Sequence, residues 1–438
     1  MRQAWLVVAT LAFALSLPAQ ALGLLKPGET LDKLNWQEAQ DLFPAEILSH
    51  YKAGEFVSPI GSMKATYALD PSVLEAGEKN EGKFKIDEHG SVVETATGKL
   101  PDYYYGLPFA PAKLDPKDPE VALKIVWNYE YGYWSNGSNR LSSLLTWLSG
   151  GSSRPDRQVT LESMVKVIEG NRHREANPQQ FSRLDRNFLI EPADIHGSAS
   201  LTWRYKDPTK RDLAWAYVPA LRRVRAVTPA NRSDGVFGSE MTQDDGFNGF
   251  DAKPEDFTYK LLGQTDQYMS FSPESLDGSI KFSPSPSGQG WHFEQPPARY
   301  GFREATWKGL SWCPLDSALI VRPTWIVEAT PKDQYYLFGK IILWIDRETY
   351  KVSNVVKYDW KGVPVGVFNR AIAYGQAPDG YRYVQITGGG RGGAYSENMK
   401  MNRATAGEPV SGKGTPNEVD AKIDPGEFLQ EKLAQMGK

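Results

Sequence analysis

The sequence predicts a mainly β protein built from antiparallel strands. Between Leu201 and Tyr217, apolar and polar side chains alternate on both sides of a turn-forming segment at 206–210. The apolar positions are Leu201, Trp203 and Tyr205 before the turn and Leu213, Trp215 and Tyr217 after it. A period of two places these side chains on one face of a β-hairpin. A second alternating series, from Ser317 to Gly366, contains the turn Asp346–Thr349.

The aromatic content supports the same fold class. Aromatic residues make up 12% of the 438 residues, and on strands they favour a half-buried pleated surface. A chain of this length can bury a large core. The aromatic side chains by themselves are explained by filling that core.

The first residues have the pattern of a secretory signal peptide, Met1 to Ala21. Arg2 is followed by an apolar run from Trp5 to Leu17 and by the small residues Ala19 and Ala21 of a cleavage site. A membrane anchor is the alternative, but the run is short for a span. The sequence therefore predicts an exported protein that begins near Leu22. No Cys lies at the cleavage site, which excludes the usual acylated lipoprotein.

The elements after the signal peptide are predicted from periodicity, caps and turn residues. A helical segment at Leu31–Tyr51, interrupted by Pro44, comes first, and a solvent-facing hairpin follows around Glu88–Gly90. The next predictions are a strand at Leu123–Tyr133, a short helix at Asn139–Leu148 and a strand at Val159–Ile168.

The second half of the chain continues with strands and loops. Arg222, Arg223 and Arg225 interrupt a third strand after the aromatic hairpin and make one of its faces cationic. The remaining predictions are a short helix at Lys253–Leu262 capped by Asp251, a polar insertion at Ser270–Gln295, strands at Ile341–Ile345, Val352–Tyr358 and Tyr381–Ile386, a loose segment at Ala404–Gly412 and a surface helix at Pro425–Met436 capped by Asp424.

Composition excludes some classes of protein. The 50 basic and 53 acidic residues give a net charge of −3, whereas a nucleic-acid-binding protein normally carries a basic excess. The single Cys, Cys313, cannot form an internal disulfide. Its apolar surroundings favour a small buried residue over a reactive thiol. Beyond the signal peptide no long apolar segment occurs, so no membrane span is predicted.

Motifs for catalysis or for cofactors are not found in the sequence. The five His residues do not form H-x-H or H-E-x-x-H, and no G-x-S-x-G nucleophile motif occurs. Asp244, Asp245, Asn248 and Asp251 could supply oxygen ligands to calcium, but their spacing favours capping and turn roles. The Gly-rich segment Gly388–Gly393 lacks the residues of a phosphate-binding loop and is interpreted as flexible. We therefore predict no catalytic residue, no metal and no cofactor.

Two segments resemble a known superfamily. The run WAYVPALRRVRAVTP and the later GSEMTQDD are similar to the outer-membrane lipoprotein-sorting proteins of the LolA, LolB and LppX type. The positions that carry the resemblance are Tyr217, Pro219, Arg222, Arg223, Arg225, Gly238, Ser239, Thr242 and Asp245. The segments Tyr105–Tyr129 and Asp244–Phe250 also resemble recurring phrases of the bacterial "domain of unknown function" family thirteen twenty-nine. Together the likenesses span roughly Leu31 to Asn402.

This resemblance implies a strongly curved antiparallel sheet that forms an unclosed barrel, with helices over its concave face. It implies one carrier domain at 22–403 and a tail at 404–438. The helix at Leu31–Tyr51 would be either a plug on the concave side or an ordinary packing helix. The implied protein is periplasmic and not an enzyme. It would carry a lipid, a lipoprotein acyl chain or a hydrophobic metabolite and work beside an envelope transporter or an outer-membrane protein.

The resemblance also points to a candidate ligand site at the mouth of the barrel. Its residues are Trp203, Tyr205, Trp215, Tyr217, Arg222, Arg223, Arg225 and Phe247. The Arg strand would bind an anionic head group or an acidic partner surface by bidentate hydrogen bonds, or it is a solvated face paired with Asp212, Asp244 or Asp245. Two rivals stay open: an exported hydrolase or polysaccharide-acting enzyme with a carboxylate pair in a cleft, and a scaffold without a cavity.

Overall fold

The computed structural model of the protein describes residues 24–227, 232–246, 248–294, 296–384, 386, 393–410 and 416–436. The predicted signal peptide, Phe247 and most of the Gly-rich segment lie outside these ranges. The α-helices are α1 (Ala45–Ala53), α2 (Pro71–Lys79), α3 (Val121–Trp134), α4 (Pro273–Asp277) and α5 (Gln430–Met436). Short 3-10 helices lie at Trp36–Ala39, Pro111–Lys113, Pro219–Leu221, Val236–Gly238, Gln243–Asp245, Pro254–Asp256, Gly301–Arg303 and Pro425–Phe428.

Strands dominate the described part of the chain. The first ten are β1 (Thr30–Leu31), β2 (Ser58–Pro59), β3 (Phe84–Ile86), β4 (Val92–Glu94), β5 (Asn139–Ser149), β6 (Arg157–Val167), β7 (Phe181–Glu191), β8 (Ala199–Tyr205), β9 (Leu213–Val218) and β10 (Arg223–Val227). The others are β11 (Phe257–Phe271), β12 (Lys281–Pro284), β13 (Trp291–Glu294), β14 (Ala318–Pro331), β15 (Lys340–Asp346), β16 (Val352–Tyr358), β17 (Pro364–Arg370), β18 (Gly375–Gln376), β19 (Arg382–Tyr383), β20 (Ala394–Asn398), β21 (Arg403–Pro409) and β22 (Glu418–Val419).

One antiparallel sheet of 16 strands organises the described residues. Its main path runs β10-β9-β8-β7-β6-β5-β21-β20-β17-β16-β15-β14-β11. The terminal strands β10 and β11 do not pair with each other, so the sheet is open. The sheet also curves, because β11 contacts strands that are three and four places away in the strand order: Asn354 Nδ2 of β16 donates to the Tyr268 carbonyl at 3.2 Å, and Asn369 Nδ2 of β17 donates to Ser270 Oγ at 3.3 Å. The mainly β, unclosed architecture predicted from the sequence is confirmed.

The two alternating series form the predicted strands. In the aromatic hairpin, Leu201 lies opposite Trp215 and Trp203 lies opposite Leu213. The Arg-rich segment adds the next antiparallel strand, with Val224 opposite Tyr217. In the second series, β15 and β16 pair across the predicted turn. The predicted strand at Val159–Ile168 and the polar hairpin around Glu88–Gly90 are also present.

Helix α3 covers the inner face of the sheet over β11 and β14–β17, which we call the filled half. Ile125 and Tyr129 of this helix are buried against Val327, Leu343 and Val355. The sequence prediction of a strand at Leu123–Tyr133 is therefore wrong. The helix is apolar on almost every side, so its sequence lacks the polar stripe that marks a surface helix. A short apolar run rich in β-branched and aromatic residues cannot be told from a buried strand.

The outer face carries other segments. Helix α1 packs there through Ile47 and Tyr51 against Ile342 and Val356. Of the two roles left open for the N-terminal helical segment, its helix α1 therefore takes that of an outer packing helix. The C-terminal residues Phe428 and Leu433 cover the outer side of β7–β9.

Three further local predictions are wrong. Asn139–Ser149 is strand β5, because its backbone pairs with β6 along one edge and with β21 along the other, in the centre of the sheet. Only Pro254–Asp256 of the predicted helix at Lys253–Leu262 is helical, and Phe257 begins a long strand. The segment Ala404–Pro409 is not loose, because it belongs to β21, which lies between β20 and β5, and Ala404 is fully buried. Tertiary pairing outweighed local propensity in each case.

The polar insertion predicted at Ser270–Gln295 has structure of its own. It contains helix α4 and the hairpin of β12 and β13. Strand β13 also pairs with β22, which joins this hairpin to the C-terminal segment and to β5. The predicted cap Asp424 is present, since its carboxylate accepts a hydrogen bond from the backbone N–H of Gly426 at 2.9 Å.

Candidate functional site

A cavity of about 370 Å³ lies on the inner face of β5–β9, which we call the open half. The segment from Arg232 to Asp251 crosses this face and closes the cavity on the side opposite the sheet. Apolar side chains contribute much of the wall: Leu141, Leu145, Leu161, Ala214, Val236 and Met241. The exposed side chains of Val227 and Phe237 border it and mark its opening to solvent.

The polar floor of the cavity follows one row across three strands. Ser163 lies opposite Asn187, and Asn187 lies opposite Ser200, so all three side chains share the inner face. The Ser163 hydroxyl donates to Asn187 Oδ1 at 2.6 Å, and Asn187 Nδ2 donates to Ser200 Oγ at 3.2 Å. These groups are neutral and satisfy one another. They give the cavity hydrogen-bonding capacity without an additional charge.

A buried ion-pair network forms one end of the cavity. Arg183 donates to both carboxylate oxygens of Asp251, at 2.8 and 2.7 Å. Arg232 donates to Asp251 at 3.0 Å and to Asp244 at 2.6 Å. Burial raises the pKa of Asp251, but Arg183, Arg204 and Arg232 outweigh it and hold that pKa well below its usual range. The network fixes the Arg232–Asp251 segment against β7.

The candidate oxygen cluster is held by cations of the protein itself. Asp245 forms a capping box with Thr242 and an ion pair with Lys357. Asp244 pairs with Arg232 and accepts a hydrogen bond from the Tyr336 hydroxyl. Within the described ranges, no group of three or more His, Cys, Asp or Glu side chains could hold a metal ion. The capping and turn roles favoured by the spacing fit these contacts.

The aromatic residues of the predicted site lie mainly on the outer face. Alternation on β8 points Ser200 and Thr202 inward, and Trp203 and Tyr205 outward. Trp203 donates to the Phe428 carbonyl at 2.9 Å, and Tyr217 is buried in the same outer cluster. Trp215 belongs to that cluster and also borders the cavity. Phe247 lies outside the described residues.

The Arg residues of the predicted site lie on the edge strand β10 or directly before it, and all three are exposed. Arg223 and Arg225 share the strand face of Val227, which borders the cavity. Their proposed partners are engaged elsewhere: Asp212 pairs with Arg204 and Lys253, Asp244 with Arg232, and Asp245 with Lys357. Among the described residues we find no ion pair to any of the three Arg side chains.

Sequence reasoning missed the buried charges Arg183, Asp185 and Arg232. The available signal was the alternation of polar residues along β7, where Arg183, Asp185 and Asn187 occupy every second position of a strand in the interior of the sheet. Asp185 pairs with Arg183 at 2.9 Å. Asp185 and Asp251, the two acids next to Arg183 at this end of the cavity, are therefore both held in ion pairs with it.

The surroundings of the single Cys and of the buried His50 indicate structural roles for both. Burial raises the pKa of the Cys313 thiol to about 12, which suits an inert buried residue. His50 lies between Glu55 and Glu397, with nitrogen-to-oxygen distances of 2.8 and 3.0 Å. Burial lowers the pKa of His50, but the hydrogen bonds and charges of the two carboxylates outweigh it and raise the pKa. His50 thereby joins α1 to β20.

Comparisons with known proteins identify the family. Residues 30–387 match the family described as "Protein of unknown function (DUF1329)". The chain is 22% identical over 311 residues to Uncharacterized protein PA3922 of Pseudomonas aeruginosa, a match that covers 69% of this chain and 60% of that relative. None of the helices among the described residues is long and apolar enough to cross a membrane.

Two solved structures are similar in fold. One is described as an outer membrane lipoprotein-sorting protein domain from Vibrio parahaemolyticus, with a TM-score of 0.45, 16% identity and coverage of 72% of this chain and 100% of that chain. The other is a DUF1329 family protein from Desulfovibrio piger, with a TM-score of 0.44, 14% identity and coverage of 70% and 97%.

Proposed function

The chain belongs to the DUF1329 family, and we propose that it binds a lipophilic ligand in the inner-face cavity and carries or presents it in the periplasm. The observation that carries this proposal is the cavity itself. Its volume of about 370 Å³ is within the usual range for small-molecule sites. Its walls combine apolar side chains with a neutral polar row.

The binding energy would come mainly from the apolar wall. Each 100 Å² of apolar ligand surface removed from water contributes about 2.5 kcal/mol before the costs of association. The row of Ser163, Asn187 and Ser200 would fix the orientation of a ligand that also carries hydroxyl or carbonyl groups. The ligand class that fits is therefore an amphiphile and not a pure hydrocarbon.

Arg223 and Arg225 would hold an acidic head group at the cavity entrance. They share the strand face of Val227, and the acids that could have neutralised them are paired elsewhere. A guanidinium group binds a carboxylate or a phosphate through two parallel hydrogen bonds. The tail of the ligand would then lie inside the cavity while its head stays in solvent.

Native mass spectrometry and organic extraction of protein purified from its own periplasm test the proposal. A bound lipid or hydrophobic metabolite is the expected result, and it would identify the ligand class. Purified protein stripped of ligand should also take up a fluorescent fatty acid. Protein that carries nothing and takes up no probe would contradict the carrier function and favour a scaffold.

The head-group role has its own test. Replacing Arg223 and Arg225 by Gln should weaken binding of the fluorescent fatty acid by roughly tenfold, the effect of about 1.4 kcal/mol. Binding of a neutral fluorescent ester of the same chain length should not change. Arg157→Gln is the matched control, because Arg157 is an exposed Arg on another strand of the same sheet. Equal binding of the acid by the variant and the wild type would remove the Arg pair from the site.

A further inference from the structure

Large apolar side chains are exposed on three turns at one end of the sheet. The turn between β14 and β15 carries Tyr335 and Leu337, with 86% and 56% of their surface exposed. The turn between β16 and β17 carries Trp360 and Val363, at 51% and 47%, and the turn between β20 and β21 carries Met401 at 59%. We call these three segments the apolar turns. Exposed apolar groups concentrated in one place mark an interaction surface.

The strand order shows that the apolar turns lie at the same end. Strands β14, β15, β16, β17, β20 and β21 are consecutive in the sheet and alternate in direction. Turns that follow every second strand of such a sheet share one end. Contacts join them: Trp360 Nε1 donates to the Tyr336 carbonyl at 2.9 Å, and Lys400 pairs with Asp359 at 2.9 Å.

Three other turns of the sheet, at 168–180, 206–212 and 347–351, lie inside the described ranges and carry no exposed large apolar side chain. The exposure at the apolar turns is therefore not a general property of the turns in this protein.

The apolar turns contact a segment that forms one wall of the cavity. The backbone N–H of Leu337 donates to Ser233 Oγ at 3.0 Å, and Ser233 directly follows Arg232 of the cavity wall.

The charged residues of the apolar turns favour an anionic surface. Lys332, Lys361 and Lys400 stand against Asp333 and Asp359, which gives these turns a net charge of +1. Asp359 and Lys400 pair with each other, so Lys332 and Lys361 are the cations left to meet an anionic surface. Trp and Tyr with flanking Lys or Arg are the composition that enters the interface of a lipid bilayer.

We propose that the apolar turns dock the protein on an anionic lipid bilayer surface, with Trp360 and Leu337 inserted into the interfacial region. The exposed apolar side chains lie on short turns, which suits insertion between lipid head groups. The inference rests on the exposed turns and holds whether or not the cavity is occupied.

Vesicle flotation tests the inference. Wild-type protein should float with vesicles of phosphatidylethanolamine and phosphatidylglycerol, and less with purely zwitterionic vesicles. The double variant W360S/L337S should bind at least about tenfold more weakly, because two apolar side chains no longer leave water. The matched control is Leu34→Ser, since Leu34 is 80% exposed and lies in the N-terminal segment, outside the apolar turns.

The result that would overturn the inference is absence of wild-type flotation, or equal flotation of wild type and W360S/L337S. Uptake of a fluorescent fatty acid from detergent solution should be the same in wild type and W360S/L337S, which separates docking from the cavity. If wild-type protein floats with the vesicles but takes up no fluorescent fatty acid, the result would contradict the proposed carrier function and would leave the docking inference intact. Unchanged thermal unfolding midpoints confirm that the exposed substitutions leave the fold intact.

Discussion

The filled half and the open half of the sheet use the same strand geometry with different inner side chains. In the filled half, one cross-strand row consists of Val327, Leu343, Val355 and Phe368, all fully buried beneath α3. In the open half, a cross-strand row over β5–β8 consists of Leu141, Ser163, Asn187 and Ser200. The first row packs against a helix, whereas the second faces the cavity.

The difference shows how one curved sheet provides both a core and a site. Large apolar side chains that project inward can be buried only if an apolar helix covers them. Small and polar side chains leave space, and the charged pairs around Asp251 hold the covering segment at a distance. Side-chain size on the inner face therefore decides which half is packed and which half is hollow.

The boundary between the two halves should be the most sensitive point. Asp251→Asn removes the charge that Arg183 and Arg232 share, so we expect a loss of about 3–5 kcal/mol in the free energy of unfolding. Urea denaturation measures this loss. Because the pKa of Asp251 is lowered, its contribution in the wild type is present above the unfolded pKa and is lost as the pH falls through the lowered folded value.

Asp333→Asn is the control for the boundary. Asp333 is exposed in the turn after β14, so its substitution should change stability by less than about 0.5 kcal/mol. Similar effects for Asp251→Asn and Asp333→Asn would mean that the network does not hold the two halves together.

Truncation of one Leu in each half tests the contrast directly. Leu343→Ala leaves a void in the packed core of the filled half and should cost about 2–5 kcal/mol. Leu161→Ala enlarges a cavity that already exists and should cost at least about 1 kcal/mol less. Both values come from chemical denaturation of the same protein. Equal costs would indicate that the open half is as tightly packed as the filled half.

Enlarging one Ala in each half gives the opposite test. Ala329→Phe overfills the core and should destabilise the protein by about 1–3 kcal/mol. Ala214→Phe projects into the cavity and should cost less, while it reduces the uptake of a fluorescent fatty acid. The measurements are thermal unfolding and probe titration. Undiminished uptake by Ala214→Phe would place the ligand elsewhere.

The smallest expected effect is a pH dependence on the outer face of the filled half. The carboxylates of Glu55 and Glu397 raise the pKa of His50 above 6.5. Its contribution to stability is complete below the unfolded pKa and is lost as the pH rises through the raised folded value. Hydrogen exchange in α1 should therefore become faster over that interval. His50→Gln should remove the dependence, and a persistent dependence would assign it to another group.

Much of the sheet could be predicted from the sequence, whereas the helices and the site could not. Strands β8–β10, β15 and β16 have regular alternation, which points to one face for each set of side chains. The sequence predicts a strand where helix α3 lies, because the helix is buried on nearly all sides and lacks a polar stripe. It predicts a helix where strand β5 lies, because the position of β5 in the centre of the sheet depends on partners, including β21, that lie far away in sequence.

The sequence by itself determined the fold class, the family and the strands with regular alternation. Alternation also separated the two faces of the aromatic hairpin, but it carries no information on which face turns inward. That was decided by tertiary structure: the C-terminal segment covers Trp203 and Tyr217, so the small residues Ser200 and Ala214 on the other face border the cavity. The physical reason is that a strand exposes two faces equally, and only long-range packing assigns one of them to a core.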